Sequence, residues 1–150
     1  MKLVSACLLG IKCAWDGKDR YKNDRVIELS KKEILIPICP EQLGGQSTPR
    51  PAAEIKNGDG LDVLNGKSKV MEPGGKDVTK FFIDGAEEVL KLANLFDIKE
   101  AILKQKSPSC GCGKIYDGTF SRSLINGDGV TTALLKRNNI KVMTEEDLKE

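Results

Sequence analysis

Three cysteines, Cys7, Cys39 and Cys110, occur where a parallel α/β sheet would bring them together. Each follows a short apolar segment that is predicted to be a strand. In an open α/β sheet, ligands bind in the crevice outside the carboxyl ends of the strands. We therefore expect these three thiols to meet at one functional site. Thiolate ligands select zinc or iron–sulfur clusters, so the residue types fit both.

The spacing of the cysteines favours a cluster over structural zinc. A structural zinc usually takes four ligands from closely spaced pairs such as C-x-x-C, and this sequence has no such pair. Cys110 and Cys112 form a C-x-C, whereas Cys7 and Cys13 are too far apart to form a zinc knuckle. Scattered ligands without a fourth predict a centre with one open coordination position, as a catalytic metal needs.

The chain contains no histidine, which excludes His-containing zinc sites, Ser-His-Asp triads and Cys-His dyads. Glu41 is therefore the natural acid–base candidate, and its alternative is a solvated loop carboxylate. Ser107 adds a hydroxyl in the loop before Cys110, where it could instead cap backbone amides. Arg50, framed by two prolines, is predicted either to bind an anionic or carbonyl-bearing substrate or to lie on the surface.

Length and charge indicate a single soluble domain over residues 1–150. There are 24 basic and 22 acidic residues and only 5% aromatic residues. No basic stripe is present, so no large nucleic acid is expected as a partner, although a small nucleobase or nucleotide fits. No stretch approaches the ~18–20 apolar residues of a membrane span. We expect a cytoplasmic protein without a membrane partner, whose thiols stay reduced.

Strands that alternate with helices predict a three-layer, Rossmann-like α/β fold, with a mostly parallel sheet and helices on both faces. The predicted strands are Lys2–Ala6, Ile34–Ile38, Ala101–Leu103 and Lys141–Met143. The predicted helices are Asp24–Lys32, Val78–Phe96, Val130–Asn138 and a last one that starts at the Thr144–Asp147 capping box. In the longest helix, the apolar stripe from Val78 to Phe96 is predicted to be core.

Two segments are predicted to lie outside the main layers. Pro40–Asn57 is rich in turn residues and is predicted to be an irregular functional loop over a site. Leu61–Leu64 and Lys69–Glu72 flank Asn65-Gly66, which predicts a small β-hairpin beside the sheet.

Four segments of the chain resemble the thiouracil desulfidase family. They are SACLLGIKCAWDG (5–17), CPEQLGGQSTPRPAAEI (39–55), KSPSCGCGKIYDGTFS (106–121) and GDGVTTALL (127–135). The resemblance spans essentially the whole chain, in the family's order. Trp15 is one departure, because Tyr is expected there, and the change should alter packing more than chemistry.

The resemblance implies a [4Fe-4S] cluster that is held by Cys7, Cys39 and Cys110, with the fourth iron not ligated by protein. That iron would bind the thiocarbonyl sulfur of a substrate and polarise the C–S bond. Cys13 also lies within a family motif and is the rival third ligand. Cys112 is expected to be dispensable.

The reaction implied by the resemblance is non-redox removal of sulfur from a thiolated nucleobase such as thiouracil, with release of hydrogen sulfide. Glu41 and Ser107 would be the catalytic pair, the first activating water or shuttling protons and the second relaying a proton or orienting the base. A small thiolated base and the iron–sulfur assembly machinery would be the partners. The alternatives are a sulfur or metal-cluster carrier without catalysis, and a thiol-redox enzyme that uses Cys110 and Cys112.

Overall fold

The computed structural model describes residues 1–148 as strands and helices around a central parallel sheet. The strands in this range are β1 (Lys2–Ser5), β2 (Leu35–Ile38), β3 (Glu54–Lys56), β4 (Lys69–Met71), β5 (Glu100–Leu103), β6 (Lys114–Tyr116), β7 (Leu124–Asn126) and β8 (Lys141–Thr144). The α-helices are α1 (Asp24–Ser30), α2 (Pro40–Leu43), α3 (Gly60–Leu64), α4 (Thr79–Leu95) and α5 (Val130–Arg137). Short 3-10 turns at Ala6–Leu9 and Glu145–Asp147 directly follow β1 and β8.

The central sheet has the strand order β2-β1-β5-β8, and all neighbouring strands run parallel. In β1, Val4 lies opposite Pro37 of β2 on one side and Ile102 of β5 on the other. Pro37 has no N–H to donate and is tolerated because β2 is an edge strand. The predicted α/β fold with a mostly parallel, Rossmann-like sheet is confirmed.

Both faces of the sheet are covered, because successive strand residues point to opposite sides. Leu3 and Leu103 are fully buried in the cluster formed with α4 and α5. Val4 and Ile102 are fully buried on the other face, where Val26 of α1 packs against them. Burial of each such side chain contributes about 1.5–3 kcal/mol. The two central strands β1 and β5 are therefore firmly held, and they position the segments that directly follow them.

Helix α4 buries most of the predicted apolar stripe. The buried members are Val78, Phe82, Ala86, Val89 and Ala93. Phe96 was predicted to belong to the same core but is 52% exposed. The reason is that α4 ends at Leu95, and the chain then turns through Asp97, whose φ is +51°.

Two predictions for residues 40–72 are wrong. Pro40–Asn57, predicted to be irregular, contains helix α2 and strand β3. Leu61–Leu64, predicted to be a strand, lies in helix α3, because Asp59 and Asp62 form a reciprocal capping box at its start. Lys69–Glu72 does contain strand β4, but β4 pairs antiparallel with β3.

A small antiparallel hairpin is instead formed by β6 and β7. Ile115 of β6 is buried in a second core with Val70 of β4 and Phe82 of α4. This core attaches both small β-ribbons to the helices beside the carboxyl ends of the main strands.

The end of the chain differs in one respect from the prediction. The capping box of Thr144 and Asp147 is present, but it starts a 3-10 turn rather than an α-helix. The remaining residues 149 and 150, which belong to the predicted domain, lie outside the described residues. No helix in residues 1–148 is long and apolar enough to cross a membrane.

Candidate active site at the strand ends

A cavity of about 560 Å³ opens at the carboxyl ends of β1, β2 and β5. Every residue singled out for the site by sequence, apart from Cys112, lines this cavity. They are Cys7, Cys13, Cys39, Glu41, Arg50, Ser107 and Cys110. Strand order β2-β1-β5 explains the convergence, since three adjacent parallel strands end at the same edge of the sheet.

Cys7 is positioned by the 3-10 turn that follows β1. Gly10 ends this turn in the left-handed region at φ +84°, and its N–H donates to the carbonyl of Cys7 at 3.1 Å. Burial raises the pKa of the Cys7 thiol, and the nearby Cys110 and Glu41 raise it further. Cys7 therefore holds its proton unless a cation replaces it.

Cys39 and Glu41 sit at the start of helix α2, with Cys39 at the N-cap and Pro40 in the first turn. This helix packs closely on α4 at Gly85, where a Cβ would lie 2.0 Å from the carbonyl oxygen of Pro40. This close packing holds the first turn of α2 in place, and Glu41 in that turn lines the cavity. Burial raises the pKa of Glu41, and the guanidinium of Arg50 opposes that shift.

Cys110 lies in a loop that Ser107 organises. The Oγ of Ser107 accepts hydrogen bonds from the N–H groups of Ser109 and Cys110, both at 3.1 Å. Amide capping, the alternative considered for Ser107, is therefore present, and its hydroxyl also lines the cavity. Burial raises the pKa of the Cys110 thiol to about 12.

The start of helix α5 binds the Cys110 loop through hydrogen bonds, and this contact was not predicted from the sequence. The N–H groups of Val130 and Thr131 donate to the carbonyls of Pro108 and Ser109 at 2.8 and 2.9 Å. Gly129 permits this approach, because a Cβ there would lie 2.4 Å from the carbonyl carbon of Ser109. In addition, the hydroxyl of Thr132 donates to the carbonyl of Cys110 at 2.9 Å. The motif GDGVTTALL thus builds a brace for the loop.

Cys13 is a fourth thiol in the same cavity. It is buried, and the Sγ of Cys39 lies 3.6 Å from its carbonyl oxygen. A hydrogen bond between the two thiols lowers the pKa of Cys13 and raises that of Cys39. Cys112 lies elsewhere, with its Sγ 3.8 Å from the carbonyl oxygen of Val142.

Aromatic and cationic side chains also line the cavity, and three of them, Arg20, Tyr21 and Lys104, were not predicted from the sequence. The indole N–H of Trp15 donates to the hydroxyl of Tyr21 at 3.2 Å. Arg20 stacks over the Trp15 ring at 5.5 Å, and the Nζ of Lys104 lies 4.8 Å from the centre of the Tyr21 ring. Arg20 and Tyr21 lie just after the first motif (5–17), and Lys104 lies two residues before the third (106–121). This proximity was their only signal in the sequence. Trp15, the departure from the family pattern, also lines the cavity.

The donor set fits a cluster better than a single metal ion. Within residues 1–148, no three His, Cys, Asp or Glu side chains converge closely enough to hold one ion. In an iron–sulfur cluster each cysteine binds a separate iron, so thiolates spread around a cavity are suitable ligands. The irons would also offset the burial that keeps these thiols protonated, since a coordinated thiol is deprotonated.

Comparison with known proteins identifies the family. A model of the 2-thiouracil desulfurase family matches residues 3–147. The chain belongs to the 2-thiouracil desulfurase family. This confirms the resemblance inferred from the four sequence motifs.

Two relatives extend this result. The Bacillus subtilis (strain 168) protein YbbK is 45% identical over 150 residues, which cover 100% of this chain and 99% of YbbK. The solved structure of the [4Fe-4S]-dependent thiouracil desulfidase TudS is 40% identical, with a TM-score of 0.85. The match covers 98% of this chain and 91% of TudS. The α/β architecture of the desulfurase family is thus shared along nearly the whole chain.

Proposed function

We propose that this member of the desulfurase family removes sulfur from a thiolated, thiouracil-like nucleobase without redox chemistry. Water supplies the oxygen, so that a thiocarbonyl and H2O give a carbonyl and hydrogen sulfide. The observation that carries the proposal is one cavity that joins three strand-end cysteines to Glu41 and Ser107. The solved relative TudS is a [4Fe-4S]-dependent thiouracil desulfidase, which supports the same cofactor here.

Cys7, Cys39 and Cys110 would hold the [4Fe-4S] cluster, one from each of three adjacent strand ends. When bound, the cluster would supply an iron not ligated by protein, a thiophilic Lewis acid that polarises the C–S bond. Cys13 is the rival ligand, because it is buried beside Cys39 in the same wall.

Glu41 acts as the general base in this proposal. Its carboxylate lies in the cavity wall and is 16% exposed, so a water molecule can reach it. Burial makes a carboxylate a stronger base, and this matches the raised pKa of Glu41. The role of Glu41 is to take a proton from the attacking water and to deliver it to the leaving sulfur.

Ser107 supplies a directed proton donor. Because its Oγ already accepts two backbone N–H groups, both lone pairs are engaged and the hydroxyl can only donate. A donor of this kind suits a ring nitrogen or oxygen of the base, which gains negative charge as the thiocarbonyl is attacked.

The cavity suits a small planar ring. Its volume of about 560 Å³ lies within the ~300–1,000 Å³ typical of small-molecule sites, and aromatic side chains line it. We also propose that residues 1–150 work as one desulfidase domain in the cytoplasm. There, reduced thiols could receive the cluster from iron–sulfur assembly proteins.

Anaerobic purification tests the proposal directly. We expect a brown protein with a visible absorption shoulder, which releases sulfide from 2-thiouracil or 4-thiouracil over many turnovers. A colourless protein that iron and sulfide cannot reconstitute would contradict the cluster. A loaded protein that releases no sulfide from any thiolated base would instead favour the carrier alternative.

A further inference from the structure

Arg50 is a buried cation in the cavity wall, separate from the proton transfers assigned to Glu41 and Ser107. Its side chain is only 6% exposed, so the surface position considered from sequence is wrong. Its Nη2 donates to the carbonyl of Cys13 at 3.0 Å, and its Nη1 donates to the carbonyl of Ser47 at 3.2 Å and the hydroxyl of Thr48 at 3.0 Å. These uncharged acceptors fix the guanidinium in place.

Within residues 1–148, the carboxylate that lies within 4 Å of this guanidinium is that of Glu41. The Nη2 of Arg50 lies 3.7 Å from the Oε2 of Glu41. That distance is beyond the ~2.7–3.2 Å of a hydrogen bond, although charges attract strongly at this range in a buried site. Arg50 therefore attracts the carboxylate while leaving this oxygen free to accept a proton from water.

Arg50 also connects the two segments that carry Cys13 and Glu41. Its backbone N–H donates to the carbonyl of Trp15 at 2.7 Å, beside the bond to Cys13. The hydroxyl of Thr48, which receives a bond from Arg50, also accepts one from the side chain of Gln42 in α2 at 2.7 Å. The planar fork of an arginine can serve several acceptors at fixed angles, which a lysine ammonium cannot.

We propose that Arg50 is a positioning residue for Glu41. Its guanidinium, held by loop carbonyls, orients the Glu41 carboxylate toward the reacting water and does not itself bind the substrate. This inference rests on the proposed function, since it gives Arg50 a task only if Glu41 transfers the proton.

A double-mutant cycle tests this role. The variants are R50M, R50K, E41Q and R50M/E41Q, with R137M as a matched control, because Arg137 is exposed at the end of α5. We expect all of them to keep wild-type iron and acid-labile sulfide and an unchanged visible spectrum. R50M should lower kcat by about 10²-fold, as small misplacements of a catalytic group do, with KM nearly unchanged.

The decisive comparison is made in the E41Q background. There R50M should change the residual rate by less than about twofold, because the group that Arg50 orients is gone and coupled sites are non-additive. R50K should lose less kcat than R50M, because lysine keeps the positive charge but lacks the planar guanidinium that binds several acceptors at once.

Several outcomes would overturn the role of Arg50. They are an effect of R50M on KM alone, an equal fold-loss with and without E41Q, wild-type activity in R50M, and loss of iron from R50M. If R50M does not fold, the same cycle with R50K decides. Failure of the proposed function has a different signature, because E41Q would then be fully active or the wild type would lack a cluster.

Discussion

At the scale of the residue, the site is a set of thiols that burial keeps protonated. Burial raises the pKa of Cys110 to about 12 and also raises that of Cys7, whereas the hydrogen bond with Cys13, together with burial, raises the pKa of Cys39. Such thiols become ligands only when a metal centre displaces their protons. The choice between Cys39 and Cys13 is therefore open to experiment, since both lie in the same wall.

Serine substitution should separate the ligands from their neighbours. We expect Cys39→Ser to lose the cluster, whereas Cys13→Ser keeps it, because Cys39 directly follows β2 and Cys13 is a second thiol after β1, which Cys7 already serves. Cys112→Ser is the matched control, since its Sγ lies outside the cavity. Iron and sulfide analysis of anaerobic protein measures the result. Loss of iron from Cys13→Ser with retention in Cys39→Ser would assign the ligand to Cys13 instead.

A second prediction concerns Glu41. We expect Glu41→Gln to keep its cluster and to lose sulfide release by about 10²–10⁴-fold, the usual contribution of a general base. Glu88→Gln is the control, because Glu88 is 44% exposed on α4 and does not line the cavity. Sulfide release under anaerobic conditions measures the effect. Full activity in Glu41→Gln would remove this residue from the mechanism.

At the scale of the element, the short loops at the site depend on helices that approach them very closely. The N-terminus of α5 binds the Cys110 loop through backbone N–H groups, and α4 supports the start of α2. Both contacts need a glycine, because any side chain would enter the neighbouring backbone. The elements thus position the cysteines through backbone contacts more than through side chains.

The contact at Gly129 gives a stability prediction. Gly129→Ala would place a Cβ 2.4 Å from the Ser109 carbonyl carbon, and overpacking of this kind costs about 1–3 kcal/mol. Gly74→Ala is the control, because no atom lies within 4 Å of a Cβ at that position. Urea unfolding of the apoprotein measures both. Equal stability of the two variants would show that the loop moves without cost.

Phe82 in the first turn of α4 and Phe96 just after its last residue form a matched pair of phenylalanines. Phe82→Ala should lower the free energy of unfolding by about 3–5 kcal/mol, because a large buried side chain is lost. Phe96→Ala should change it by no more than about 0.5 kcal/mol, since Phe96 is 52% exposed. Chemical denaturation of both variants checks the burial directly. A large loss in Phe96→Ala would place this residue in the core after all.

The elements also explain which parts of the fold were predictable. The four main strands and α4 are continuous apolar or periodic runs, so their own sequence determines them. The pairing of β3 with β4 joins residues 54–56 to 69–71, and no local pattern encodes such a partner. The buried position of Arg50 could not be predicted for the same reason, because its acceptor at Cys13 is 37 residues away.

At the scale of the whole molecule, the order of strands makes the site. Adjacent strands β2, β1 and β5 each end in a segment that carries one of the three predicted cysteines, whereas β8 at the other edge does not. The position of the three thiols could therefore be predicted from strand placement alone. The packing of the two small β-ribbons beside the cavity could not, because the core that holds them joins distant segments of the chain.

A cluster that links three strands should stabilise the whole chain. We expect the loaded protein to unfold at a higher temperature than the apoprotein, because a centre bound only by the folded state shifts the equilibrium toward it. Anaerobic thermal unfolding before and after chelation measures the difference. Cys39→Ser serves as the control and should show no change on chelation. An unfolding temperature that does not change on chelation, in wild-type protein shown to contain iron, would contradict the expectation that a cluster links the three strands.

The same strand order determines when the three cysteines become available during translation. A ribosome delivers Cys7 and Cys39 early, but strand β5 and Cys110 emerge only after about two thirds of the chain has been made. Because β5 must first dock beside β1, a nascent chain offers at most two of the three strand-end thiols for most of its translation. If the proposed cluster binds these three thiols, we expect its loading to follow the docking of β5. A chain that stalls before residue 110 would have no complete site to receive the cofactor.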